Sequence, residues 1–217
     1  VLEEDPPVYV EFNKIYRQSD EKFIGLLNQV RNNELDETGM KILESRFKPT
    51  FRRSKNDGYI ILTTHNNKAA EINTRELTNL DGKLYTYHAD VKADFSERAF
   101  PAEEVLYLKV GAQVMFIRND TAERGKRFFN GKIGTISKLE EDKIVVQCKD
   151  EPDEIAVGKE TWENIRYTLN KDTRQLDSDV LGSFTQYPLR LAWAITIHKS
   201  QGLTFEKAII DAGEAFA

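Results

Sequence analysis

The chain has 217 residues, a formal net charge of −5 and 31% charged residues, which fits one or two globular domains and argues against a simple basic nucleic-acid coat. Binding of nucleic acid is not excluded, because it depends on a local basic stripe rather than on the total. No apolar run approaches membrane-spanning length, the opening Val1-Leu2-Glu3-Glu4-Asp5 is acidic where a secretory signal is basic, and the one cysteine, Cys148, cannot form an internal disulfide, so a reducing compartment is expected.

In chain order, Val8, Val10 and Phe12 alternate with polar neighbours and predict a short strand or an extended entry. Ser19 is the expected N-cap of a helix from Asp20 to about Arg31, with Phe23, Leu26, Leu27 and Val30 at helical spacing. Asp36 is the expected cap of a second short helix carrying Met40, Leu43 and Phe47, and the charged stretch after Pro49 reads as a linker. Tyr59-Ile60-Ile61-Leu62-Thr63 is a run of the kind buried in a parallel sheet. Asn66 or Thr64 is expected to cap a helix bearing Ala69, Ile72, Leu77 and Leu80, stopped by Asp81-Gly82.

The middle has a different texture. Leu106–Val110 and Gln113–Arg118 look like strands, Asn130-Gly131 is a hairpin-turn signal, and Ile133–Leu139 and Lys143–Gln147 flank a second turn. Further short runs lie near Glu154–Val157 and Thr161–Thr168. Short strands with turns about ten residues apart suggest a small antiparallel barrel, inserted between two halves of an α/β domain. The second half is a strand-like run from Tyr187 to Ala192, a polar turn, and another run from Lys207 to Asp211.

That polar turn holds Thr196, His198, Lys199, Ser200 and Gln201, followed by Gly202. On residue types alone two readings stand: a phosphate-contacting turn, or a polar surface turn with a core-facing histidine. Several donors converge there with no acid among residues 196–201, so they need an acceptor from outside.

Leu189-Arg190-Leu191-Ala192-Trp193-Ala194-Ile195-Thr196-Ile197-His198-Lys199-Ser200-Gln201-Gly202-Leu203-Thr204-Phe205 resembles motif V of superfamily I helicases in the form used by the Pif/RecD branch. Other blocks agree in order. Ile15-Tyr16-Arg17-Gln18, with Phe23-Ile24 and Leu27-Asn28, is similar to motif IV of that branch. Leu62-Thr63-Thr64-His65-Asn66, with Ile72-Asn73 behind it, resembles the start of its second RecA-like domain. Leu108 to Met115 and Asn130 to Thr135 resemble its inserted SH3-like barrel.

The resemblance implies an incomplete RecA-like α/β domain of P-loop NTPase type, with a parallel sheet and an SH3-like insertion. It divides the chain into a helical entry segment (1–57) carrying motif IV, a discontinuous second motor domain (58–83 and 187–217) and the inserted barrel (84–186). It implies that Arg17 reaches the ATP γ-phosphate as an arginine finger does, and that Gln201 and Gly202 face the nucleotide cleft. Thr196, His198, Lys199 and Ser200 would grip the backbone of single-stranded DNA, and His65 and Asn66 would touch it from a strand's carboxyl end. Asn66 as a helix cap alone remains the other reading of that residue. Trp193 and Phe205 are read as packing against the sheet in preference to stacking on bases. Arg118, Arg124, Lys126 and Arg127 are read as a solvated loop in preference to a nucleic-acid guide.

The chain departs from the family pattern in several places. Thr204 stands where many motif V sequences have Glu. No Gly-x-x-x-x-Gly-Lys-Ser/Thr phosphate loop occurs, no acidic pair suited to Mg²⁺ follows an apolar strand, and the arginine-bearing motif VI is missing. The expectation is the C-terminal portion of an ATP-dependent 5′→3′ DNA helicase, its ends cut from a longer protein. That parent would use ATP and Mg²⁺, while the fragment would bind neither tightly, hold no metal and hydrolyse nothing. Its partners would be single-stranded DNA and the missing first RecA-like domain, with no membrane. A bacterial cytoplasm is expected, or a nucleus or mitochondrion in a eukaryote. The alternatives are a non-catalytic single-stranded nucleic-acid-binding module and a protein-interaction fragment.

Overall fold

Asp20, not Ser19, starts the first helix of the computed structural model. Its carboxylate accepts the N–H groups of Lys22 and Phe23 at 3.0 and 3.2 Å, two donors that the helix itself leaves unpaired. Helix α1 (Glu21–Asn32) ends where Asn33 turns left-handed and returns its N–H to Gln29 and Val30. Asp36 caps α2 (Glu37–Arg46), as expected, through Gly39 N–H at 2.7 Å. The bonds from Gly39 and from Gln29 hold the Asp36 carboxyl below its ordinary value. Gly39 lets α2 lie against α1: a Cβ there would sit 2.7 Å from Leu35 Cδ1 and 3.1 Å from Leu26 Cδ1.

The structure describes residues 8–11, 19–53, 57–120, 127–149, 151–170 and 174–213, and the chain divides into two units, Val1–Arg52 and Arg53–Ala217. Residues 8–11 form no strand. The Ile15–Gln18 part of the expected motif IV, with Arg17, lies outside the described residues, as do Arg124 and Lys126, while Phe23-Ile24 and Leu27-Asn28 lie in α1.

In the second unit β1 (Ile60–Thr63) is followed by α3 (Asn66–Thr78). The helix is capped at His65, without a side-chain bond, rather than by the Asn66 or Thr64 side chain. Next come β2 (Tyr85–His88), β3 (Asp90–Ala93), a single 3₁₀ turn at Glu97–Ala99, β4 (Val105–Leu108) and β5 (Gln113–Phe116). Then follow β6 (Ile133–Leu139), β7 (Ile144–Cys148), β8 (Ile155–Val157), β9 (Glu160–Leu169) and β10 (Leu176–Gln186). The chain closes with β11 (Leu189–Leu191), β12 (Ala194–Thr196), the four-residue helix α4 (Ile197–Ser200) and β13 (Ala208–Asp211).

The parallel sheet has the order β12-β1-β13. Alternation along β1 sorts its contacts. Ile61 joins the main core, which includes Ala69 and Ile72 of α3, while Ile60 and Leu62 join a second cluster with Met115 and Ile195. The antiparallel strands form a five-stranded sheet β11-β5-β6-β7-β8, a three-stranded sheet β3-β10-β9 and a pair β2-β4. No closed barrel is found: among the described residues no pairing joins the edge strands β11 and β8.

Two expected elements differ from the structure. The 187–192 run forms its strand at Leu189–Leu191 and pairs antiparallel with β5, so the polar turn is entered from β12. Asn130-Gly131 makes a turn, with Lys132 N–H bonded to Phe129 O at 3.0 Å, but it ends a long connection between β5 and β6. Glutamines tie the antiparallel part to its neighbours. Gln113 Nε2 donates to Tyr59 O at 3.0 Å and Ala192 O at 2.7 Å, and buried Gln186 donates to Tyr87 O at 3.1 Å while accepting from Tyr187 N–H at 2.9 Å. Cys148 is buried in the core, which pushes its thiol pKa up and makes it a packing residue.

Candidate nucleic-acid interface

The parallel sheet delivers two polar segments side by side. Thr63 ends β1 and pairs in register with Thr196, which ends the adjacent β12. Parallel neighbours lie about 4.8 Å apart, so Thr64-His65-Asn66 and Ile197-His198-Lys199 leave the same sheet edge together. In open α/β sheets this carboxyl edge is where ligands bind.

The individual side chains divide by burial. His198, Lys199, Gln201 and Gly202 are exposed. Thr196 is buried and spends its Oγ1 on Lys199 N–H at 3.4 Å, so it caps the one-turn helix. Ser200 Oγ donates to Ile197 O at 2.7 Å, which leaves only its lone pairs outward. His65 Nδ1 lies 2.7 Å from Thr64 Oγ1 and its ring is half-buried, whereas Asn66 is exposed in the first turn of α3. That turn carries no acid, so the positive end of the helix dipole favours an anion there. Beneath lies Thr63, buried with no partner for its hydroxyl.

A cavity of about 330 Å³ adjoins Lys199, lined also by Glu97, Phe100, Glu103, Glu104 and Arg190. Arg190 donates to Pro101 O at 3.3 Å, its Nε is buried without a partner, and burial pulls its guanidinium pKa down. Lys199 itself makes no ion pair with the described residues. At the other end of the sheet edge, Lys68 pairs with Asp211 at 3.1 Å and, with Gly213 N–H, holds that carboxyl below its ordinary value.

Sequence reasoning places Arg190 inside the motif but gives it no role, and it misses the 97–104 segment, some ninety residues away in the chain. Trp193 is buried in the main core and Phe205 packs on the second cluster, as read from the sequence. Of the basic cluster, Arg118 bonds Thr161 O at 2.8 Å, pairs with Glu160 at 3.4 Å and lies over the Trp162 ring. Arg127 is bidentate to Asp120 at 2.7 and 3.1 Å. Both guanidiniums are therefore engaged within the fold.

No protein-family model matches the chain. The ATP-dependent DNA helicase PIF1 of Homo sapiens is 33% identical over 97% of it, an alignment that spans 32% of the human protein. The crystal structure of Bacteroides sp Pif1 in complex with ADP-AlF4 superposes with a TM-score of 0.83 at 35% identity, covering 94% of this chain and 46% of that one. Bacteroides Pif1 bound to ssDNA gives 0.65 at 36% identity, over 94% of this chain and 45% of that one. Sequence and fold together make the chain a relative of the C-terminal part of superfamily I helicases. The branch is the Pif1 type. The chain spans about a third to a half of the length of these relatives.

Proposed function

We propose that the chain is the second motor portion of an ATP-dependent 5′→3′ DNA helicase, supplying a grip on the single-stranded DNA backbone and one wall of the ATP site. The observation that carries this is the in-register pair Thr63 and Thr196, which aims two donor-rich segments out of one sheet edge. Lys199 and His198, with Asn66 and His65 beside them, form the outward face of the grip. Thr196 and Ser200 serve it mainly by shaping α4. Contacts of this kind go to phosphate and ignore base sequence. Gln201 and Gly202, both exposed, would face the nucleotide, and Arg17 would complete that wall. We also read residues 58–83 and 187–217 as the motor domain and 84–186 as its insertion, the five-stranded sheet being the counterpart of an SH3-like fold.

Much of the ATP and Mg²⁺ site would lie outside this chain, whose sequence has no Gly-x-x-x-x-Gly-Lys-Ser/Thr phosphate loop. The partner that would complete the site is the first RecA-like domain of the same parent. Fluorescence anisotropy with labelled oligo-dT and with the matching duplex tests the grip: tighter binding of the single strand is expected. Equal binding of both, or none, would favour a protein-interaction module.

A further inference from the structure

The Lys199 turn is a single helical turn, too short to hold its own shape, so its geometry comes from its two ends. One end is the sheet, through Thr196. The other leaves by Gly202, at φ +82, and by Leu203, whose N–H returns to Ser200 O at 3.0 Å. Leu203 then enters the second apolar cluster, against Ile60, Met115, Ala192 and Ile195 with Ile133 beside them. Met115 belongs to β5 and Ile133 to β6, so the antiparallel sheet shares this anchorage with Ile60 and Ile195 of the parallel sheet. The turn before β6 presses on the same side chain. A Cβ at Gly131 would lie 3.2 Å from Leu203 Cδ2 and 3.3 Å from its Cβ, and Gly131 sits at φ +100. Position 131 thus excludes a side chain for two reasons, backbone conformation and contact with Leu203.

We propose that Leu203 is a positioning residue: seated on the Gly131 turn and on the second apolar cluster, to which β5 and β6 contribute Met115 and Ile133, it lets the antiparallel sheet help set where Lys199 stands. This rests on the reading of the turn as a DNA grip. Withdrawing the leucine would free the Gln201-Gly202 leg, and Lys199 would no longer hold a defined place on the phosphate, without any change in charge.

The test is oligo-dT binding by Leu203→Ala across a series of salt concentrations, with folding checked by near-ultraviolet circular dichroism. Leu203→Val is the second variant should the alanine protein not fold. Affinity is expected to fall about tenfold, the worth of one charge-assisted hydrogen bond. The slope of log K against log salt should shrink by about 0.7, the share of one phosphate on a single strand. Gly131→Ala should move both in the same direction. Folded Leu203 variants with unchanged affinity, or with weaker binding at an unchanged slope, would overturn the proposal. If Lys199→Ala also binds unchanged, the grip itself fails; if Lys199→Ala is weak and the Leu203 variants are not, only the coupling fails.

Discussion

The carboxamide of Asn73 bonds both backbone groups of Ala194, donating Nδ2 to its carbonyl at 2.9 Å and accepting its N–H on Oδ1 at 2.9 Å. Strand β12 is an edge of the parallel sheet, and its outer backbone groups would otherwise be buried under α3 without partners. A helix side chain here does what a further strand would do. It fixes the strand that delivers Thr196 and Lys199. Asn73→Ala leaves two backbone groups unpaired, so it should cost about 3 kcal/mol, read as a lower midpoint in urea unfolding. A loss below a few tenths would mean that water replaces the amide.

Tyr87 lies in the core, edge-on to Tyr187 at 5.1 Å, and donates its hydroxyl to Glu140 O at 2.7 Å. Burial, with smaller repulsion from the Tyr187 and Tyr85 phenols and from Asp142, pushes its pKa from 10.0 up to about 12. The unfolded phenol ionises first, so stability is full below pH 10 and falls as pH climbs toward 12. Tyr87→Phe should lose about 1 kcal/mol at neutral pH and flatten part of that alkaline decline. Alkaline unfolding curves that coincide for the two proteins would contradict this.

Gly134 in β6 and Gly158 offer a matched pair. A Cβ at Gly134 would meet Val146 Cγ1 at 2.4 Å and Gln147 O at 3.0 Å, whereas at Gly158 nothing lies within 4 Å. Gly134→Ala should cost about 1–3 kcal/mol by overpacking, and Gly158→Ala should stay within about 0.5 kcal/mol of the parent. Thermal melts of both proteins check the contrast.

Asp120 is buried, with its side chain 3% exposed, and accepts from Arg127 through the guanidinium and the backbone N–H. Its carboxylate raises the Arg127 pKa, first by hydrogen bonding. Because Arg127 is half exposed and can be solvated when freed, Asp120→Ala should cost about 2 kcal/mol rather than the larger loss of a fully buried pair. Urea unfolding reads the difference.

The local elements were legible: the 194–202 run reads as a polar turn after a strand, and the Ile60–Thr63 run reads directly as a buried strand. The use of the Thr196 hydroxyl as a cap was not read from the sequence. What else was not legible depends on distant pairing. Strand β10 begins Leu176-Asp177-Ser178-Asp179, which has no apolar alternation to announce it; it exists because β9 pairs along its whole length. The outer half of the β9–β10 pair puts Ile165, Tyr167 and Leu169 of β9 and Leu176 and Val180 of β10 at exposed positions, so burial leaves no pattern there. The strand-like run before the motif was legible as a strand, but its partner β5 was not, since register is a tertiary choice. The cleft beside Lys199 joins segments that local spacing cannot connect.

The central claim is that Lys199 meets a DNA phosphate. The most direct measurement is oligo-dT affinity as a function of salt for the parent chain, Lys199→Ala and the charge-matched control Lys143→Ala, taken from the turn between β6 and β7. A linear fall of log K with log salt is expected for the parent and the control. Lys199→Ala should bind more weakly, with a slope smaller by about 0.7, because one phosphate is no longer neutralised. Salt-insensitive binding by the parent, or the same slope and affinity in Lys199→Ala as in the control, would contradict the central claim.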